Sequence, residues 1–100
     1  MLNFPKFQCT NFSPREGVSA KVNNLLAAIA DRAPSDSTCE ARIERLDSRF
    51  YFEIVIYSSV GIFHSKKNYY THSSITSARD WHVPVIAEMC QELRMSLNDW

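Results

Sequence analysis

The side chains able to do chemistry here are three histidines, three cysteines and a run of hydroxyls. His64, His72 and His82 are separated by eight and ten residues, and no neighbouring cysteine or carboxylate pattern completes a metal shell. We therefore expect surface histidines and no metal site. A glycine-rich phosphate loop is excluded as well, because Gly17 and Gly61 are the chain's two glycines.

A cluster of hydroxyls lies beside His72 and consists of Ser73, Ser74, Thr76 and Ser77. A serine hydrolase needs a nucleophile elbow and an acidic partner, and neither is evident in the sequence. The cluster is typical of a polar loop in which hydroxyls cap turns. A small hydrolase that uses the stretch from His72 to Ser74 is kept only as a third alternative.

Cys90 lies two helical turns after His82, so the two side chains could share a helix face. A thiolate nucleophile would also need an orienting third group and a pocket. Cys90 instead falls in an apolar stripe with Met89 and Leu93, which predicts a buried core thiol. We expect no catalytic residue and no cofactor, so the chain is predicted not to be an enzyme.

Cysteine usage and the terminal sequence indicate the compartment. Cys9, Cys39 and Cys90 are odd in number and widely spaced, which is a poor disulfide framework. The stretch MLNFPKFQC lacks the basic and apolar regions of a signal peptide, and no apolar run approaches the ~20 residues of a membrane span. These features predict a reducing, cytoplasmic location and no membrane partner.

Length and charge exclude some classes of protein. The chain has 100 residues, which predicts one domain spanning residues 1–100. Hydrophobic residues at 45% and charged residues at 22% are typical of a folded globular protein. Eleven Lys and Arg balance eleven Asp and Glu, so the total charge does not indicate a strongly basic nucleic-acid binder.

Three segments alternate in the manner of strands with one buried face. Cys39 to Leu46 and Phe50 to Tyr57 place apolar side chains at every second position, and Ile62 to Lys66 continues the pattern after a turn. A short edge strand is expected around Lys6 to Asn11, beside Pro5. Lys67 to Arg79 has no clean period, so it extends the strand, forms a loop or begins the last helix.

Two helices complete the expected architecture. The first should begin with Ser13 as N-cap, Pro14 at the first helical position and Glu16 in a capping box, and it should end before Pro34. Asp80 is expected to cap the last helix, with Pro84 in its first turn. The fold class is therefore α+β: a two-layer β-α-β-β-β-α domain in which two helices pack on one face of a four-stranded sheet.

This order of elements resembles that of the ribosome hibernation-promoting factors and ribosome-associated inhibitors, a family with a double-stranded-RNA-binding-like core. The resemblance rests on FQCTNFSPREGVSAKVNNLLAAIAD, CEARIERLDSRFYFEIVI, GIFHS and VIAEMCQELRMSL, which cover most of the chain. It implies non-enzymatic binding in the mRNA and tRNA channel of the small ribosomal subunit, through lysines and arginines on the helices. The last helix here carries Glu88 and Glu92 instead.

The resemblance implies one function, and the face of the sheet that the helices leave uncovered suggests an alternative. The first is binding of the ribosome or another structured RNA, with a role in regulating translation, through the basic residues Arg42, Arg45, Arg49, Lys66, Lys67 and Arg79. The second is a small protein-interaction or homodimerising domain that has the same fold and binds no nucleic acid. Its interface would be formed by Tyr51, Val55 and Tyr57, with Arg42 and Glu53 pairing between copies at the rim.

Overall fold

A computed structural model describes residues 5–98, and it contains the expected order of elements. Four strands and two helices follow the chain order β-α-β-β-β-α, which confirms the α+β fold class. A short 3₁₀ helix, Ser74–Ser77, precedes the last helix. The strands and helices are β1 Lys6–Thr10, α1 Val18–Ala30, β2 Thr38–Arg45, β3 Arg49–Ser58, β4 Gly61–Tyr70 and α2 His82–Asn98.

The strands form one mixed sheet in the order β1-β2-β3-β4. β1 pairs in parallel with β2, and α1 supplies the crossover that a parallel pair requires. β2, β3 and β4 are antiparallel neighbours, with Ile43 opposite Phe52 and Ile54 opposite Ser65. β1 lies at an edge of the sheet, as Pro5 before it predicts.

The core lies between the sheet and the two helices, because both helices cover the same face. Phe52, Ile54 and Ile56 are fully buried on β3, as the alternating pattern predicts. The apolar stripes of the helices pack on them, and the fully buried helix residues are Val18, Val22, Leu26, Ile29, Val85, Ile86, Met89 and Leu93. The opposite face of the sheet carries no helix among the described residues.

The predicted start of α1 is wrong by four residues. The helix begins at Val18, and its N-cap position is Gly17, which has a φ of 92° and no side-chain cap. Ser13 and Pro14 lie in the preceding loop, where Phe12 contacts the rings of Phe50 and His82. This contact draws the loop toward the core, so tertiary packing overrides the local capping signal.

The segment of uncertain structure extends the strand and then forms the 3₁₀ helix. β4 continues to Tyr70, four residues past its predicted end, because its backbone pairs with β3 as far as Arg49. Asp80 lies two residues before the first helical residue of α2 with a φ of 52°, and not at the cap position expected for it. Pro84 lies in the first turn of α2, as predicted.

Candidate interaction surface

The face of the sheet that the helices leave uncovered is the main candidate for a binding surface, and we call it the open face. Its side chains come from alternate positions of every strand, since successive strand residues point to opposite sides. The register places Lys6, Glu40, Val55 and His64 in one row across the four strands. The neighbouring rows are Gln8, Arg42, Glu53 and Lys66, then Thr10, Glu44, Tyr51 and Asn68.

A network of three side chains occupies the middle of the open face. The Arg42 Nε donates a hydrogen bond to Glu53 Oε1 at 3.1 Å, and the Tyr51 hydroxyl donates to Glu53 Oε2 at 3.0 Å. The Arg42 guanidinium also lies 5.4 Å from the centre of the Tyr51 ring, within cation–π range. Partial burial, followed by the hydrogen bond and the charge of Glu53, raises the pKa of the Tyr51 phenol. Arg42 and Glu53 therefore pair within one chain, whereas the sequence suggested pairing between copies.

One end of the open face is apolar and exposed. The β3–β4 turn brings Val55, Tyr57, Val60 and Ile62 together, and we call these four residues the apolar end. Tyr57 is 43% exposed, Val60 56% and Ile62 66%, while Val55 is half-buried. Sequence analysis identified Val55 and Tyr57 but missed Val60 and Ile62. The signal was present in the strand alternation, which puts Ile62 on the same face as Tyr57.

A shallow depression of about 420 Å³ lies beside the apolar end. Val55 and Tyr57 form its apolar wall, and Lys6, Glu40, Arg42 and Glu53 contribute charged groups. Two positive and two negative side chains thus line the same hollow. This balance does not favour an anion over a cation, and it suits a surface that carries both signs of charge.

The opposite end of the open face carries arginine and tyrosine. Arg49, Tyr51, Asn68 and Tyr70 line a second shallow depression. Tyr70 is 61% exposed, and its ring lies 5.6 Å from that of His72 in the following loop. Tyr51 thus belongs to this arginine end and to the Arg42 network. The predicted interface of Tyr51, Val55 and Tyr57 does lie on one face, but the structure divides it between two ends.

The six predicted RNA-binding residues do not form one cluster. Arg42, Arg49 and Lys66 lie on the open face, whereas Arg45 lies on the helix side, 5.7 Å from the centre of the Phe50 ring. Arg79 is exposed in the loop before α2. Their separation follows from strand geometry, since Lys66 and its neighbour Lys67 must point to opposite faces.

Lys67 lies on the helix side and is held by α2. Its Nζ is 3.1 Å from Glu92 Oε1 and 3.5 Å from Glu88 Oε1. The hydrogen bond to Glu92 and the charges of both glutamates raise the pKa of Lys67 against the opposing effect of burial. Two acids of α2 therefore neutralise one of the six predicted basic residues.

Two of the four hydroxyls beside His72, those of Thr76 and Ser77, cap the turn, as the sequence predicts. The single proton of the Thr76 hydroxyl is shared between the backbone carbonyl oxygens of Thr71 and Ser73, which lie 2.9 and 2.8 Å from the Thr76 Oγ1. The Ser77 hydroxyl donates to the Ser74 carbonyl at 2.7 Å. His72 packs on Tyr70 rather than on any of these hydroxyls. Thr76 and Ser77 therefore act as turn caps.

The thiols of Cys39 and Cys90 are buried in the core, which confirms the position predicted for Cys90. Burial raises the pKa of Cys39 to about 12 and that of Cys90 to about 11. The Cys90 sulfur lies 3.9 Å from the Leu25 carbonyl oxygen. Both thiols stay protonated at neutral pH, so neither supplies a nucleophilic thiolate.

His82 is the least exposed of the three histidines, and it was expected at the surface. Its ring lies 4.3 Å from that of Trp81 and stacks on Phe12 at 5.4 Å. Within residues 5–98 neither ring nitrogen has a hydrogen-bond partner, and burial lowers the pKa of His82. The prediction was wrong because it treated histidine as a polar surface residue, whereas the His82 ring packs against other aromatic rings at the start of α2.

Metal clusters and membrane-spanning helices are both absent from residues 5–98. No group of three or more His, Cys, Asp or Glu side chains in the described part of the chain is placed to hold a metal ion. No helix between residues 5 and 98 is long and apolar enough to cross a bilayer.

Comparison with known proteins identifies the fold. No family model and no curated protein matches the chain. The N-terminal domain of Protein Y from Thermus thermophilus is similar in structure, with 11% identity, a TM-score of 0.64 and coverage of 99% of this chain and 98% of that one. A ribosomal subunit interface protein from Coxiella burnetii shows 6% identity, a TM-score of 0.67 and coverage of 95% and 93%. The resemblance to ribosome hibernation-promoting factors is therefore confirmed at the level of the fold.

Proposed function

We propose that this chain is a non-enzymatic binding module that contacts the ribosome or another structured RNA. The observation that carries the proposal is the agreement of the fold with a ribosomal subunit interface protein over 95% of this chain and 93% of that one. The thiols of Cys39 and Cys90 are buried and the Thr76 hydroxyl caps a turn, so none of these groups has an evident catalytic role. A ribosome partner implies a cytoplasmic location and a role in regulating translation.

Four of the six candidate basic residues have charges available for phosphate. Among the described residues no ion pair involves Arg45, Arg49, Lys66 or Arg79, whereas Arg42 and Lys67 are neutralised within the chain. Arg45 and Arg49 flank the β2–β3 turn, and that turn receives the hydrogen bond from the Thr71 amide to the Ser48 carbonyl at 2.9 Å. The turn and the start of the β4–α2 loop therefore meet at one end of the sheet, where these two arginines could reach phosphate.

Co-sedimentation with ribosomes across a salt series tests this proposal. The chain should pellet with ribosomes at low salt, and log K should fall steeply with log salt because counterions are released from neutralised phosphates. Reversing Arg45 and Arg49 to glutamate should weaken binding and reduce the salt slope by about two, roughly one for each lost phosphate contact. Arg45→Lys with Arg49→Lys is the matched control, because it keeps both charges.

The choice of arginines matters for interpreting this test. Arg42 and Lys67 are left unchanged, since reversing either would break an internal ion pair and set like charges against each other. Absence of co-sedimentation at low salt would contradict the proposed function. A charge-reversed variant that binds with the wild-type salt slope would contradict the proposed location of the contact.

The exposure of Tyr57, at 43%, favours a second candidate function. In this alternative the fold serves as a protein-interaction or homodimerising domain that binds no nucleic acid. Glu40 and Glu44 point from the open face and would repel phosphate, whereas the charge of Glu53 is paired with Arg42. The two glutamates support a protein partner for that side of the sheet. A protein interface would respond weakly to salt, so the same salt series separates the two candidates.

A further inference from the structure

We propose that the stacked rings of Phe12 and His82 form a latch that acid releases, and that this latch holds the loop between β1 and α1 against the start of α2. The loop comprises residues 11–17, and we call it the latch loop. Its release by protons is a property of the fold that goes beyond the proposed function, and it does not depend on whether the chain binds RNA.

Two contacts join the latch loop to the start of α2. The ring of Phe12 lies 5.4 Å from that of His82 with 15° between the two planes, and Arg15 Nη1 lies 3.9 Å from Asp80 Oδ1. The ion pair is long and its arginine is exposed, so it contributes little to holding the loop. The stack of the two rings is therefore the main attachment of the loop to α2.

The surroundings of His82 favour its neutral form. Both ring nitrogens are shielded from solvent, and neither has a hydrogen-bond partner within residues 5–98. Protonation would add a charge and a second N–H donor to a site that offers no acceptor. The rings of Phe12 and Trp81 give an imidazolium some cation–π attraction, which replaces its hydrogen bonds to water only in part. The charge would also stand at the N-terminus of α2, where the helix dipole opposes it. A protonated His82 should therefore leave the stack for water, which opens the latch.

Charged groups on the elements around His82 do not offset this cost. Those on the latch loop, on β3, on the residues leading into α2 and on its first two turns are Arg15, Glu16, Arg49, Glu53, Arg79, Asp80 and Glu88. The two on β3 point from the open face, away from the ring, and Glu88 pairs with Lys67. The charge of Asp80 favours a proton on His82, but Arg15 lies beside that carboxylate. Burial is the larger effect, so the pKa of His82 is lowered.

The latch loop has a second conformation open to it once the stack is broken. Its two ends, Asn11 and Gly17, have left-handed φ angles of 66° and 92°, which are conformations that these two residue types tolerate. Between them lies the capping-box sequence of a helix start, which the closed loop leaves unused: Ser13, Pro14 and Glu16. A released loop could use this signal and begin α1 earlier. The loop is thus an element with two states, and protonation of the histidine biases it toward the open one.

Opening of the latch loop would alter the surface beside the β2–β3 turn. Asn11 Nδ2 donates a hydrogen bond to the Arg45 carbonyl oxygen at 3.3 Å, and a shallow depression of about 440 Å³ is lined by Asn11, Arg45 and Arg49 among others. The ring of Phe12 also meets that of Phe50 edge-on at 5.4 Å, and the Arg45 guanidinium lies over the Phe50 ring. Release of the loop therefore changes the support of an arginine that lies outside the latch.

An NMR titration from about pH 7.5 to about pH 5 tests the latch, because it follows the His82 ring and the backbone amides of the loop separately. The loop amides should shift with the same midpoint as His82, below the ordinary histidine pKa of about 6.5, while the amides of β3 stay in place. Between the ordinary pKa and the lowered one, the ratio of open to closed loop should rise about tenfold for each unit of pH.

Three variants separate the latch from a general effect of acid. His82→Phe keeps an aromatic ring in the stack and removes the titration, so its loop amides should not respond to acid. Phe12→Ala should open the loop at neutral pH, and because the coupling is reciprocal, the pKa of His82 should then rise toward about 6.5. His72→Phe is the matched control at an exposed histidine, and it should leave the transition of the loop unchanged.

Several results would overturn the proposal. One is a set of loop amides that does not respond to acid in the wild type, and another is a response that His82→Phe leaves with the same midpoint. A pKa of His82 that stays unchanged in Phe12→Ala would show that the two rings are not coupled. Loss of the β3 amide signals together with those of the loop would show that acid unfolds the whole domain rather than opening a local latch.

Discussion

Truncation of Phe52 to alanine should cost this protein much of its stability. The side chain is 0% exposed, and its ring centre lies 5.4 Å from that of Trp81 and 5.8 Å from that of Tyr69. Removing a buried phenylalanine typically costs about 3–5 kcal/mol, and each lost aromatic pair adds to the loss of apolar burial. We expect a value near ~4 kcal/mol, from a total stability of only ~5–15 kcal/mol.

Urea unfolding followed by circular dichroism measures this loss. With a slope of about 1.5 kcal/mol/M, a loss of ~4 kcal/mol lowers the urea midpoint by roughly 2–3 M. Phe52→Leu keeps most of the apolar volume and should remain measurable if the alanine variant does not fold. Tyr70→Ala is the control at an exposed site and should stay within about 0.5 kcal/mol of the wild type. A cooperative Phe52→Ala transition with an unchanged midpoint would refute the register of β3.

Two further predictions concern titratable groups whose pKa is shifted by burial, Cys90 and His82. Cys90 should react with maleimide far more slowly than half-exposed Cys9, because burial raises its pKa to about 11 and leaves little thiolate at pH 7.5; equal labelling rates by mass spectrometry would contradict this. Burial lowers the pKa of His82, so protons bind the unfolded state more tightly than the folded state. The free energy of unfolding should therefore have its full value above the ordinary histidine pKa of about 6.5, and it should fall as the pH drops from there toward the lowered pKa of the folded state. His82→Phe should flatten that dependence in urea titrations between pH 5 and 7, while exposed His72→Phe should not.

The sequence predicts the sheet well where one face is buried. In β3 the buried residues Phe52, Ile54 and Ile56 alternate with less buried ones, and a shift by one residue would expose all three. This alternation determines both the strand and the face that it buries. Cys90 is predicted correctly for the same kind of reason, because helical spacing links it to buried Met89. Hydrophobic periodicity therefore predicts the order of strands and helices and most of the buried residues.

Elements set by contacts distant in the sequence are predicted poorly. The capping signal at Ser13 is strong locally, yet α1 begins at Val18 because Phe12 packs against rings from β3 and α2. The sequence groups Lys67 with Lys66 as RNA-binding residues because the predicted strand ends at Lys66. β4 continues through Lys67 to Tyr70, so the two lysines lie on opposite faces. What the sequence could not reveal was that Glu88 and Glu92 of α2 would lie within reach of Lys67.

The charges on α2 bear directly on where an RNA could bind. The resemblance to hibernation factors implies RNA contacts through lysines and arginines on the helices, but Glu88 and Glu92 converge on Lys67 and form an acidic rim over β4. Phosphate would be repelled by this side of α2, because two exposed carboxylates there face a single lysine. The arginines available to phosphate lie elsewhere, beside the β2–β3 turn. If this fold binds RNA here, the end of the sheet at Arg45 and Arg49, and not the Glu88–Glu92 side of α2, should carry the contact.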